Sequence, residues 1–166
     1  MRHSPPDDSM VLDTEFLARA VALSRQQMLS RAGGPFGAII VRDGVVIAEG
    51  WNEVTTTNDP TAHAEMVAIR RACWSAGDFS LRGASIYSSC EPCPMCLAAI
   101  YWARLDRLVF ANSRLQAAAI GFDDAAIYDE IGLPLPRRSI PTVHLASEDA
   151  AAVFHQWTQL QNRTTY

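Results

Sequence analysis

Apolar residues recur near helical spacing at Phe16, Leu17, Ala20, Val21, Leu23 and Met28, which predicts an amphipathic helix near the start of the chain. Asp13 or Thr14 can cap it, and Gly33-Gly34-Pro35 ends it after about residue 30. Residues 1–10 are polar and proline-rich and are expected to be loose. Two β-branched runs follow, Ala38-Ile39-Ile40-Val41 and Val45-Val46-Ile47-Ala48, joined through Arg42-Asp43-Gly44. Asp-Gly between such runs is a strong hairpin signal. Residues 51–60 are polar and turn-rich. A helix is predicted over 62–76, entered through Asp59, Pro60 and Thr61, and then a strand over 84–88. Pro92 opens another helix reaching about residue 103, because proline suits a helix's first turn. Strands are predicted over 105–111 and 142–146, with a short helix over 125–130 between them. Ser147 precedes a last helix carrying Val153, Phe154, Trp157 and Leu160.

This alternation of helices and strands predicts an α/β layered domain with a mixed sheet. The chain has 166 residues, without an internal repeat or linker, so a single domain over 1–166 is expected. Lys and Arg number 14 against 18 Asp and Glu, a formal net charge of −4, and the longest basic clusters are the pairs Arg70-Arg71 and Arg137-Arg138. Nucleic-acid binders carry a basic surplus or run. A small-molecule substrate is therefore expected, with no nucleic-acid partner. No apolar stretch reaches membrane-span length and the first residues lack a signal peptide's apolar core, so no membrane partner and a cytoplasmic location are expected.

Three of the four cysteines, Cys90, Cys93 and Cys96, fall within seven positions, which favours metal binding over disulfides. Cys73 reads as a buried, apolar-like cysteine of its helix. Two motifs carry the chemistry, His63-Ala64-Glu65 and Pro92-Cys93-Pro94-Met95-Cys96. Cys-x-x-Cys at a helix start sets two sulfurs on one side of the first turn, where unpaired N–H groups and the dipole favour thiolate. His63 adds a neutral imidazole, giving a three-ligand zinc site with a fourth position for water. Glu65 then stands near that water as a proton shuttle. A structural zinc site would need a fourth protein ligand, for which Cys90 is the nearest candidate.

The two motifs resemble the cytidine-deaminase-like superfamily. Within it, Gly33-Gly34-Pro35-Phe36-Gly37-Ala38, the stretches 55–65, 89–96 and 99–104, Gly121-Phe122-Asp123-Asp124 and the terminal aromatic Tyr166 resemble the bacterial guanine deaminases. The resemblance covers nearly the whole chain from about Glu15. The segments 112–120 and 162–165 depart from it. It implies a three-layer α/β/α fold with a mixed five-stranded sheet. It also implies zinc-dependent hydrolytic deamination of guanine to xanthine and ammonia. The implied zinc ligands are His63, Cys93 and Cys96, and the implied shuttle is Glu65. Asn52 is expected to bind the purine ring, Asp124 to recognise the guanine edge and Phe36 to stack on the base. A homodimer is expected in which the segment 147–166 crosses to the partner and Tyr166 closes the neighbour's pocket. Without the resemblance, Asn52 is a turn residue, Asp124 a helix cap, Phe36 a core aromatic and Tyr166 part of a tail. The rival activities are deamination of guanosine and of adenosine in tRNA. A non-catalytic zinc-binding module is the rival from another class.

Overall fold

The computed structural model describes residues 8–165. In chain order its elements are α1 (Asp8–Leu29), β1 (Gly37–Arg42), β2 (Val45–Trp51), α2 (Val54–Thr57), α3 (Ala64–Ala76), β3 (Ala84–Cys90), α4 (Pro94–Trp102), β4 (Arg107–Asn112), α5 (Arg114–Ala119), α6 (Ala125–Ile131) and α7 (Glu148–Gln159). The described residues group into two compact units, one ending at Asp124 and one starting at Ala125.

In the first unit, β1 and β2 form the predicted hairpin. Asp43 and Gly44 both take positive φ, 51° and 73°, as a tight turn that matches strand twist requires. β1 also pairs antiparallel with β3, and β3 pairs in parallel with β4, giving a mixed sheet of order β2-β1-β3-β4. The parallel pair needs a crossover, and α4 supplies it.

Alternation along the strands decides what each face buries. Ile39, Val41 and Tyr87 pack with Ala20 and Leu23 of α1. Ala38, Ile40 and Ile86 pack on the other side with Ala64, Ala68 and Ala72 of α3 and Ile100 of α4. Both faces are covered, which is the three-layer α/β/α arrangement. Gly50 lets α3 lie directly on β2: an added Cβ would fall 2.3 Å from the Ala64 carbonyl oxygen and 2.4 Å from the Ala68 nitrogen.

Five expectations are corrected here. The first helix begins at Asp8, so residues 8–10 are helical, while 1–7 lie outside the described residues. Asp13 does not cap it, because its carboxylate takes both Arg107 terminal nitrogens at 2.5 Å and the Tyr87 hydroxyl at 2.8 Å. Cys73 is half-buried at the core's margin rather than fully buried. The sheet has four strands and not five. The segment 142–146 forms no strand, and its alternating Val143 and Leu145 stand 78% and 83% exposed. A period-2 pattern becomes a strand only against a ladder partner, and among the described residues this segment has none.

The second unit holds α6, a single 3₁₀ turn at Leu135–Arg137, and α7. The Ser139 N–H donates to both Glu130 carboxylate oxygens at 3.0 Å. Ser147 caps α7 as its position predicts, its hydroxyl accepting from the Ala150 N–H at 3.2 Å. Among the described residues no helix is long and apolar enough to cross a membrane.

Candidate active site

His63 is the N-cap of α3 and Cys93 the N-cap of α4, each with extended backbone and neither spending its side chain on capping. Pro94, and not Pro92, occupies the first turn of α4. Cys96 lies one turn in and is fully buried. Two helix N-termini therefore meet at this point with their positive dipole ends and unpaired N–H groups.

The turn that delivers His63 is built by Asp59. Its Oδ1 accepts from the Thr61 N–H at 2.8 Å and the Thr61 hydroxyl at 2.6 Å, and Arg70 donates to the Thr61 oxygen at 3.0 Å. Asp59 thus shapes a turn and does not cap the helix, which is why α3 starts at Ala64 and not at 62.

His63 Nδ1 lies 3.5 Å from Cys93 Sγ and 3.6 Å from Cys96 Sγ. A tetrahedral zinc with Zn–S near ~2.3 Å and Zn–N near ~2.0 Å sets sulfur and nitrogen about 3.5 Å apart, so the trio fits that ion. Cys96 donates to Cys93, which drops the Cys93 pKa to about 4, with His63 helping, and pushes Cys96 well up. A bound cation would favour thiolate on both sulfurs. The same contact with Cys93 raises the His63 pKa. Among the described residues, neither Cys90 nor Glu65 joins the trio. The Cys90 thiol is held up at about 11 by burial and meets the Ser113 carbonyl at 3.8 Å, outside the trio.

Glu65, in the first turn of α3, is buried at 5% exposure. Burial pushes its carboxyl pKa up, while hydrogen bonds from Ser88 and Cys96 pull it down. The Ser88 hydroxyl reaches its Oε1 at 2.7 Å from the C-terminal half of β3.

The remaining predicted residues approach from the hairpin end and from the loop after α5. Asn52 is buried. Its Oδ1 accepts weakly from the Gly34 and Val54 N–H groups, at 3.5 and 3.4 Å, which orients the amide with its NH₂ turned away from them. The Asn52 N–H donates to the Phe36 carbonyl at 3.2 Å, and the Glu53 N–H to the Ala62 carbonyl at 2.9 Å, so the hairpin end lies against the His63 turn. Phe36 packs on the core and meets Phe122 edge-on, with ring centroids 4.8 Å apart. Asp124 is half-buried, and burial first, then the nearby Cys93 charge, raise its pKa. Tyr166 lies outside the described residues.

Three residues were given no role by the sequence reading. Ser88 is one of two adjacent serines at the end of a strand, where nothing in the pattern marks which hydroxyl meets Glu65. Glu91 ties the cysteine loop to the segment 113–124: its N–H donates to the Asn112 carbonyl at 2.7 Å and its Oε2 accepts from the Arg114 N–H at 2.9 Å. Phe122 sits inside the Gly121-Phe122-Asp123-Asp124 motif, and its pairing with Phe36 needed the fold to become visible.

Residues 10–112 match the family described as the cytidine and deoxycytidylate deaminase zinc-binding region. The chain is 49% identical over 151 residues to the guanine deaminase of Bacillus subtilis strain 168, covering 91% of this chain and 97% of that one. The solved structure of Bacillus subtilis guanine deaminase superposes with a TM-score of 0.90 at 48% identity, covering 92% of this chain and 98% of that one. The tRNA-specific adenosine deaminase of Agrobacterium fabrum is 45% identical over 86 residues, covering 52% of this chain and 57% of that one.

Proposed function

Because the chain belongs to the cytidine and deoxycytidylate deaminase zinc-binding family, we propose that it hydrolyses guanine to xanthine and ammonia. The observation that carries the choice of base is the near-full-length likeness to the Bacillus subtilis guanine deaminase, which runs through the segment bearing Asp124. Likeness to a tRNA adenosine deaminase spans only about half of each chain, and a net charge of −4 does not favour a polyanion.

In the reaction a water oxygen bonds to C2 of guanine, the C2–amine bond breaks, and of water's two protons one ends on a ring nitrogen and the other leaves with the amine. His63, Cys93 and Cys96 would hold zinc, whose contribution is Lewis acidity and a nucleophile drawn from water at neutral pH. Glu65 accepts a first proton from water and gives it to a ring nitrogen, then takes the second from the oxygen now bonded to C2 and passes it to the departing amine. Asp124 accepts from guanine's donor edge, the N1–H and the 2-amino group. A base with acceptors there leaves the half-buried carboxylate unpaired. Asn52 offers its NH₂ to a purine acceptor, since its carbonyl oxygen already faces backbone N–H groups. Phe36, braced by Phe122, presents a ring for stacking on the base.

The same reading makes the working form a homodimer with exchanged C-terminal segments. β4 is the last strand of a four-stranded sheet, while Val143 and Leu145, and Val153, Phe154 and Trp157 of α7, stand exposed. The 142–146 segment of a second copy supplies the fifth strand, and that copy's Tyr166 closes the pocket. The four free thiols suit a reducing compartment, the cytoplasm.

The test is ammonia release by zinc-loaded protein from guanine, guanosine, adenine, cytidine and cytosine, beside a chelated control. Release from guanine that disappears with the metal is expected. Release from guanosine alone would overturn the choice of free base. Silence on all five with zinc bound would leave a zinc-binding module.

A further inference from the structure

We infer that Ser88 is a positioning residue for Glu65, tethering one carboxylate oxygen so that the other alone moves the proton. The inference rests on the role proposed for Glu65 and concerns a residue outside both motifs. Ser88 lies on β3, 1% exposed, and its hydroxyl stands 2.7 Å from Glu65 Oε1. A hydroxyl has one proton and two lone pairs. The Cys90 N–H, 3.4 Å away, is directed at the Ser88 oxygen. A lone pair is engaged there, and the hydroxyl proton is left for Glu65. Its partner is a buried carboxylate, so this is a charge-assisted bond.

The geometry separates the two oxygens of Glu65. Oε1 accepts from a hydroxyl that is fixed in a strand. The carboxylate also meets the Cys96 sulfur, which places it at the metal trio. A shuttle oxygen must return to the same place at each turnover, and a buried carboxylate held at one end rotates less than one held at neither. Ser88 thus acts through Glu65 and need not touch the purine. Its position on β3 is set in turn by pairing to Ala38 of β1 and Phe110 of β4, so the tether belongs to the middle of the sheet.

The variants S88A and S88C remove or weaken the donor within nearly the same volume, and S88T keeps it. Each is compared with wild type for guanine turnover, zinc content and the Glu65 conformation in a crystal structure. S88A and S88C are expected to lose about tenfold to a hundredfold in kcat, the worth of one hydrogen bond to a charged group. KM should stay within about twofold and zinc should be retained, because the contact is not to substrate or metal. Glu65 should take more than one orientation in S88A, and S88T should turn over faster than S88C. Should S88A fail to fold, S88C decides by the same readings. Wild-type kcat in S88A, a loss that merely tracks lost zinc, or a single unchanged Glu65 orientation in S88A would overturn the inference. A wild-type protein that holds zinc and ignores guanine would overturn the proposed function itself, and this inference with it.

Discussion

Burial raises the Glu65 pKa while hydrogen bonds from Ser88 and Cys96 oppose that rise, and that balance makes its removal informative. Glu65→Gln keeps the shape and the Ser88 contact but cannot take a proton. Retained zinc with turnover reduced about 10²- to 10⁴-fold is expected from metal analysis and an ammonia assay on one preparation. Unchanged turnover would remove Glu65 from the mechanism. On the proposed reading Asp124 serves recognition, so Asp124→Ala should act differently. It should lower kcat/KM for guanine by about tenfold to a hundredfold, the worth of a charged hydrogen bond, with zinc content unchanged. Steady-state kinetics that left guanine intact would reassign Asp124 to capping α6.

At the scale of elements, the approach of α3 to β2 is what places His63 and Glu65, and Gly50 permits it. Gly50→Ala would drive a methyl into the Ala64 carbonyl and the Ala68 nitrogen. Such overpacking costs roughly 1–3 kcal/mol, and each ~1 kcal/mol lowers Tm by about 2–4 °C at this size. Calorimetry should show that fall, and dialysis against chelator should strip the metal faster. A second element contact gives a pH signature. Arg107 and Tyr87 hold the Asp13 carboxyl below its ordinary range, joining α1 to β3 and β4. The stability this adds is complete above the unfolded carboxyl pKa and is lost as pH falls through the lower folded value. Asp13→Asn should therefore lower Tm by a few degrees at pH 7, with the gap closing below about pH 4. A gap that widened in acid would contradict the assignment.

Much at this scale was legible in the sequence, because local signals sufficed. Asp43-Gly44 turned the hairpin as read, Ser147 capped α7, and the two motifs came together as a His–Cys–Cys trio. Asp13 was read by its nearest neighbours in the chain, whereas Arg107 and Tyr87 on strands of the sheet claimed it, and Pro92 falls just ahead of α4, whose first turn holds Pro94. The strand expected over 142–146 needed a ladder that the described residues do not contain.

For the whole molecule, the prediction concerns assembly. Light scattering at micromolar concentration should report a dimer. The double substitution of Val143→Asp and Leu145→Asp should shift it to monomer, since charge on both residues opposes burial in a fifth strand. A monomeric wild type would end the exchanged-segment reading. If the tail closes the pocket, deleting 163–166 should raise activity on guanosine relative to guanine, and an unchanged ratio would defeat that role. The segment 113–124 has a practical use as well. It carries Phe122 and Asp124 and is fastened to the rest of the first unit at two places, through Glu91 to Arg114 and through Phe36 to Phe122. Anyone redirecting the enzyme to another heterocycle can treat it as a replaceable cartridge. Libraries that vary residues 115–124 would test whether the choice of ring resides there while His63, Cys93, Cys96 and Glu65 stay as inherited.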